Sequence, residues 1–265
     1  MDKKSAQLVR AAFDPSTRVE DLMALAESED AEVRIGVASN PTTPGPTLMA
    51  LAEDEDRDVR FEVAQNPKTP SEALDVLAVD RHGDVRMEVA GNPNTSSAVL
   101  ALLAQSEDGG ARILAAGNPN APRDTLDDLA QDNLVKVRER VAANPSAPIH
   151  ALSRLAEDAQ ATVREEVAAN PNTPAVVLLG LVSDSAAVVR CTAELHPALS
   201  AEALAGLAEN PESKVRFLVA GFKSTPVDVL KRLADDPWAV VRDLARANSA
   251  GRVSAESGPS KRVAV

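Results

Sequence analysis

The chain has 265 residues, with 28 Lys and Arg against 40 Asp and Glu; its net charge of −12 repels phosphate backbones and anionic lipid. Aromatics make up 2% of the chain and Cys191 is its single cysteine, which excludes a base-stacking platform, an internal disulfide, a thiolate zinc cage and a cysteine-held iron–sulfur cluster. Lys3 and Lys4 precede no apolar run, and no later stretch is apolar for the length a membrane span needs, so the sequence reads as soluble and cytoplasmic, with no membrane partner.

Residues 1–15 are half of a unit: Ala11, Ala12, Asp14 and Pro15 stand in phase with Val37, Ala38, Asn40 and Pro41, and are expected to cap the N-terminal end. From Ser16 to Ser249 a 26-residue period then runs nine times without insertion or deletion. Arginine marks it at Arg34, Arg60, Arg86, Arg112, Arg138, Arg164, Arg190, Arg216 and Arg242, and leucine at two columns that begin with Leu22 and Leu25. Residues 250–265 are Gly, Ser and charge with Pro259, and are expected to be a disordered tail.

The unit Lys68 to Pro93 reads KTPSEALDVLAVDRHGDVRMEVAGNP. It predicts two short helices. Thr69 is expected to cap the first with Pro70 at its first position, and Leu74, Leu77 and Ala78 share a face. After Asp80 the second helix carries Val85, Val89 and Ala90 on one face and closes at Asn92, expected in the left-handed conformation, before Pro93. Neither helix is stable alone in water, so neighbouring units must bury each other's apolar faces. The fold class is therefore an all-α solenoid of nine two-helix repeats. Gly109-Gly110 is expected to loosen the second helix of the fourth unit.

The pattern L-x-x-L-A-x-D-x-x-x-x-V-R-x-x-V-A-x-N-P-x-T-P, seen from Leu48 to Pro70, resembles the leucine-rich repeat variant family, and its D-x-x-x-x-V-R core is similar to the second helix of HEAT repeats. The resemblance covers nearly the whole chain and implies a right-handed superhelix with an extended surface for macromolecular partners. Some members carry a separate N-terminal iron–sulfur region; nothing here matches it, so no cofactor is expected.

Six residues before each arginine runs a second polar column: Ser28, Asp54, Asp80, Ser106, Asp132, Asp158, Asp184, Asn210 and Asp236. The HEAT resemblance implies that the two columns pair across neighbouring units as a structural ladder; the alternative is an arginine stripe for an anionic partner. The column Asn40, Asn66, Asn92, Asn118, Asn144, Asn170 and Asn248 is expected to cap helices and to bond unit to unit, with His196 and Phe222 breaking it.

Ile35, Phe61, Met87 and Ile113 stand opposite the packed face of successive second helices, rimmed by Glu62, Glu88, Glu32, Asp58 and Asp84. If that face is open, an apolar stripe with an acidic rim binds a protein or peptide with a basic amphipathic segment. The competing reading packs these side chains against the first helix of a neighbouring unit. Phe217, Leu218 and Leu244 form a smaller second patch. His82, His150 and His196 occupy three different phases, Cys191 has no histidine in its column and no phosphate-cradling loop occurs, so neither a metal site nor catalysis is expected. The rival readings are a nucleic-acid-related HEAT-like protein, an acidic nucleic-acid mimic and a spacer without a specific site.

Overall fold

The computed structural model describes residues 3–256, in which nineteen α-helices and one 3₁₀ segment occur and no strand. Helix α1 (Lys3–Phe13) is the half-unit. The first helices of the nine repeats are α2 (Val19–Leu25), α4 (Gly45–Leu51), α6 (Ser71–Leu77), α8 (Ser97–Leu103), α10 (Arg123–Leu129), α12 (Ile149–Leu155), α14 (Ala175–Leu181), α16 (Ala201–Leu207) and α18 (Val227–Leu233). The second helices are α3 (Ala31–Ser39), α5 (Arg57–Gln65), α7 (Gly83–Gly91), α9 (Gly109–Gly117), α11 (Val135–Ala143), α13 (Ala161–Ala169), α15 (Ala187–Glu194), α17 (Ser213–Gly221) and α19 (Ala239–Glu256), and the 3₁₀ segment is Pro197–Leu199. The chain forms two compact units, residues 1–151 and 152–265, that divide within α12.

In the first unit the second helices stack on one another in the order α1, α3, α5, α7, α9, α11, and each first helix packs beside them. Leu22, Leu48, Leu74, Leu100 and Leu126 are wholly buried, as are Val33, Val59, Val85, Ala111 and Val137, which share one column of the second helices. At roughly 1.5–3 kcal/mol for each large apolar side chain removed from water, this shared core supplies what a seven-residue helix lacks.

Three local expectations are corrected. Thr69 does not cap the following helix: its Oγ1 donates to the Val63 carbonyl at 2.5 Å, and Thr43, Thr95, Thr173 and Thr225 do the same to Val37, Val89, Val167 and Val219. At this buried helix end the Val63 carbonyl also accepts from the Asn66 amide, and the hydroxyl supplies its second hydrogen bond. Pro70 accordingly sits one place before the helix, at φ −67° and ψ 153°. The asparagines are extended (Asn66 φ −66°, ψ 123°), and no described residue has a positive φ, because the main chain must run on toward the next layer and not fold back. Gly109 and Gly110 leave α9 regular: a Cβ at Gly110 would stand 2.8 Å from the Met87 sulfur and one at Gly109 2.5 Å from Leu134, so the pair makes room for neighbouring side chains.

At the C-terminal end, Ser249 stands where a proline follows Asn40, Asn66, Asn92, Asn118, Asn144 and Asn170. Nothing stops the helix there, and α19 continues through Glu256, beyond the expected start of the tail at residue 250. Residues 257–265 of that tail lie outside the described residues.

Candidate functional site

The arginine column lies at the junction of the two helices of each unit. Arg60 donates from Nε to Asp80 Oδ2 at 2.5 Å and from Nη1 to the carbonyls of Asp54 and Glu55, so one guanidinium joins a carboxylate of the next unit to the loop of its own. Arg34–Asp54, Arg112–Asp132, Arg164–Asp184 and Arg216–Asp236 repeat this at 2.6–2.7 Å. Arg86, Arg138, Arg190 and Arg242 bond from Nη1 to the carbonyls of Asp80, Asp132, Asp184 and Asp236. Asp158 accepts from the Gln160 amide. Burial pushes the Asp80 carboxyl up, but the hydrogen bonds from Arg60 and His82 and the Arg60 charge outweigh it and hold the group down to about 2. The Arg164 and Arg216 hydrogen bonds likewise lower Asp184 and Asp236.

Parallel to this ladder, each asparagine reaches back one unit. Asn66 Nδ2 donates to Ala38 and Asn40 carbonyls at 2.7 and 3.0 Å, and its Oδ1 accepts from the Lys68 amide. Asn40, Asn92, Asn118 and Asn144 make the same set.

The outward face of the second helices carries the remaining candidates. Ile35, Phe61, Met87 and Ile113 are all half-buried, and so are Glu62 and Glu88. The Met87 sulfur reaches toward Gly110 of α9, the next second helix of the stack. Arg57 bonds to Asp58 at 2.6 Å and to Asp84 of the following unit, and its guanidinium lies 5.7 Å from the Phe61 ring centre. Burial raises the Glu62 carboxyl, and the charges of Asp58 and Glu88 raise it further.

The profile of the leucine rich repeat variant family matches residues 31–56 and 57–82, two successive 26-residue periods that each join a second helix to the first helix after it. These units are leucine rich repeat variant repeats. A solved leucine-rich repeat variant with a novel repetitive structural motif is similar at 26% identity and a TM-score of 0.54, over 83% of this chain and 87% of that one. An engineered protein is similar at 19% identity and a TM-score of 0.42, over 94% of this chain and 93% of the other. A comparison with curated proteins finds no match.

The other repeats share the period, and sequence reasoning missed two features of the chain. Arg57 was overlooked because it belongs to no column; its signal is a lone basic residue inside the acidic run Glu53 to Asp58. Trp238, 59% exposed, lines an apolar cavity with Phe217, Val240 and Val241, and its signal is that it replaces the helix-capping aspartates Asp30, Asp56 and Asp108. Of the second patch, Phe217 is exposed, whereas Leu218 and Leu244 are half-buried, Leu244 lying over Gly221. Among the described residues no three His, Cys, Asp or Glu side chains converge on a metal-sized point, and no helix is long and apolar enough to cross a membrane.

Proposed function

We propose that this helical repeat protein is a non-enzymatic cytoplasmic scaffold, and that the second-helix face of its first four repeats binds a basic, amphipathic segment of another protein. The observation that carries the reading is the half-buried pair Phe61 and Met87, in register on α5 and α7 with Glu62 and Glu88 beside them. A cationic side chain placed there relieves the repulsion among Glu62, Asp58 and Glu88, while apolar side chains of the partner cover the Ile35, Phe61, Met87 and Ile113 stripe. Glu32 and Asp58, both exposed, extend the acidic edge. Nucleic acid is disfavoured by the same charge.

The test is anisotropy of a fluorescein-labelled Lys/Leu amphipathic peptide titrated with the protein. Binding is expected to weaken with added salt and to fall at least tenfold in the Phe61→Glu, Met87→Glu double variant, with helical content unchanged by circular dichroism. Equal binding by both proteins would remove the stripe from the site.

A further inference from the structure

The seventh repeat departs from the others, and the sequence states why. Where α3, α5, α7, α9, α13 and α17 bury Ala38, Ala64, Ala90, Ala116, Ala168 and Ala220 without any exposure, α15 has Glu194. The next position is exposed in Gln65, Gly91, Gly117, Ala143, Ala169 and Gly221, and here it is Leu195. A carboxylate cannot be buried between two helices without a partner. Helix α15 accordingly ends at Glu194 and Leu195 is 84% exposed. Among the described residues α15 does not stack on α17 as α13 stacks on α15; α17 rests on α14 instead.

Two cavities open along α17 where the stack is interrupted, and Leu218 lines both. One, about 430 Å³, is walled by Val177, Gly180, Leu181 and Val215. The other, about 260 Å³, has Leu179, Val182, Phe217 and Phe222 as apolar walls and Arg190, Lys223 and Glu194 as its charged groups. Arg190 retains only the main-chain half of its rung: Nη1 donates to Asp184 and Ser185 carbonyls at 2.7 and 2.9 Å, and the ladder position of the next unit is Asn210. Asn210 Oδ1 accepts from the Glu212 amide, and where the aspartates of the column have a second carboxylate oxygen Asn210 has Nδ2, a donor.

The geometry points to a binding site for a small apolar organic anion, its carboxylate or sulfonate held by Arg190 and Lys223 and its hydrocarbon covered by Leu179, Val182, Phe217, Leu218 and Phe222. Two cations against one exposed carboxylate give the cavity a net attraction for an anion, and a guanidinium lacking its carboxylate presents the fork that an anionic group fits. The walls select for apolar substituents. This site lies in the second compact unit and is independent of the peptide-binding face proposed for the first.

Titration with 8-anilinonaphthalene-1-sulfonate, an apolar aromatic anion, tests the assignment through dye fluorescence and energy transfer from Trp238. The full chain is expected to bind one equivalent saturably, with octanoate but not octylammonium as competitor. Arg190→Gln and Lys223→Gln are each expected to weaken binding at least fivefold, and Glu194→Gln to tighten it. Lys223 is exposed, so its variant decides the matter if Arg190→Gln fails to fold. Absence of saturable binding, or affinities unchanged in both Lys223→Gln and Glu194→Gln, would overturn the site.

Discussion

Asn92 donates from Nδ2 to the main-chain oxygen of Asn66, its own counterpart one repeat earlier, at 3.0 Å, and Asn66 does the same to Asn40. The side chain also holds the Ala64 carbonyl at 2.7 Å and accepts from the Asn94 amide at 2.9 Å. Asn92→Ala therefore leaves three main-chain groups without this partner in a buried layer. The Asn66 oxygen keeps the Thr69 amide and the Asn94 amide is part-buried, so the cost falls on the Ala64 carbonyl, and at 1–3 kcal/mol for a buried group left unpaired a loss of about 1 to 3 kcal/mol is expected. Urea unfolding checks it, and a loss below about 0.5 kcal/mol would show that water replaces the amide.

The arginine ladder separates two kinds of rung. Arg60 and Asp80 are almost fully buried, with side chains 9% and 6% exposed, so Arg60→Ala leaves the carboxylate with His82 hydrogen bonds but without its charge partner and is expected to cost about 3 kcal/mol. Among the described residues no carboxylate pairs with Arg86, whose next-unit position is Ser106. Arg86→Ala loses a hydrogen bond to a main-chain carbonyl and is expected to cost about 1 to 2 kcal/mol. Equal losses in the two variants would mean that the carboxylate contributes nothing.

Acid is expected to act through the same rungs. Asp80, Asp132, Asp184 and Asp236 are held below the ordinary carboxylate range, so each contributes stability that is complete above the unfolded value near 4 and is lost as pH falls through the folded one, about 2 for Asp80. Stability should be level above pH ~5 and fall steeply between pH ~4 and ~2, with roughly 2 kcal/mol of the loss from Asp80 alone. Glu62 has the opposite sign: its raised value gives stability that is present below about 4.3 and lost as pH rises. Asp80→Asn is expected to flatten the acid limb of the urea midpoint measured against pH, and an unchanged limb would place the titration elsewhere.

Period, helix order and core were legible because they follow from columns: a 26-residue repeat of Leu, Val and Ala allows one way of burying its apolar faces. The direction of polar bonds was less so. Thr69 before Pro70 reads as a helix cap, and only the packed layer shows that the Val63 carbonyl is the more demanding partner. His196 was legible as a break but not as a substitute: its Nε2 donates to the Asn170 carbonyl at 3.1 Å and its Nδ1 accepts from the Ala198 amide, two of the bonds an asparagine makes. The opening beside α17 was missed because Glu194, which stands where other units bury an alanine, precedes the position that drew notice. Whether Ile35, Phe61, Met87 and Ile113 stand open could not be read from spacing, since half-burial between like helices depends on the size of neighbours such as Gly110.

Asn210 offers the converse test, in which a missing rung is restored. In Asp54, Asp80, Asp132, Asp184 and Asp236 Oδ1 accepts the amide two residues on, as Asn210 Oδ1 accepts that of Glu212, and in each aspartate Oδ2 accepts from the arginine of the preceding unit. Asn210→Asp exchanges a donor for that acceptor and gives Arg190 its carboxylate. A gain of about 0.5 to 1.5 kcal/mol is expected, read as a higher urea midpoint at pH 7 that disappears in the Arg190→Gln background. Anilinonaphthalenesulfonate binding should weaken in parallel, because the carboxylate occupies the guanidinium that the dye requires. A gain that persists without Arg190 would come from the loop of Asn210 itself, and the missing rung would then have no part in the opening between α15 and α17.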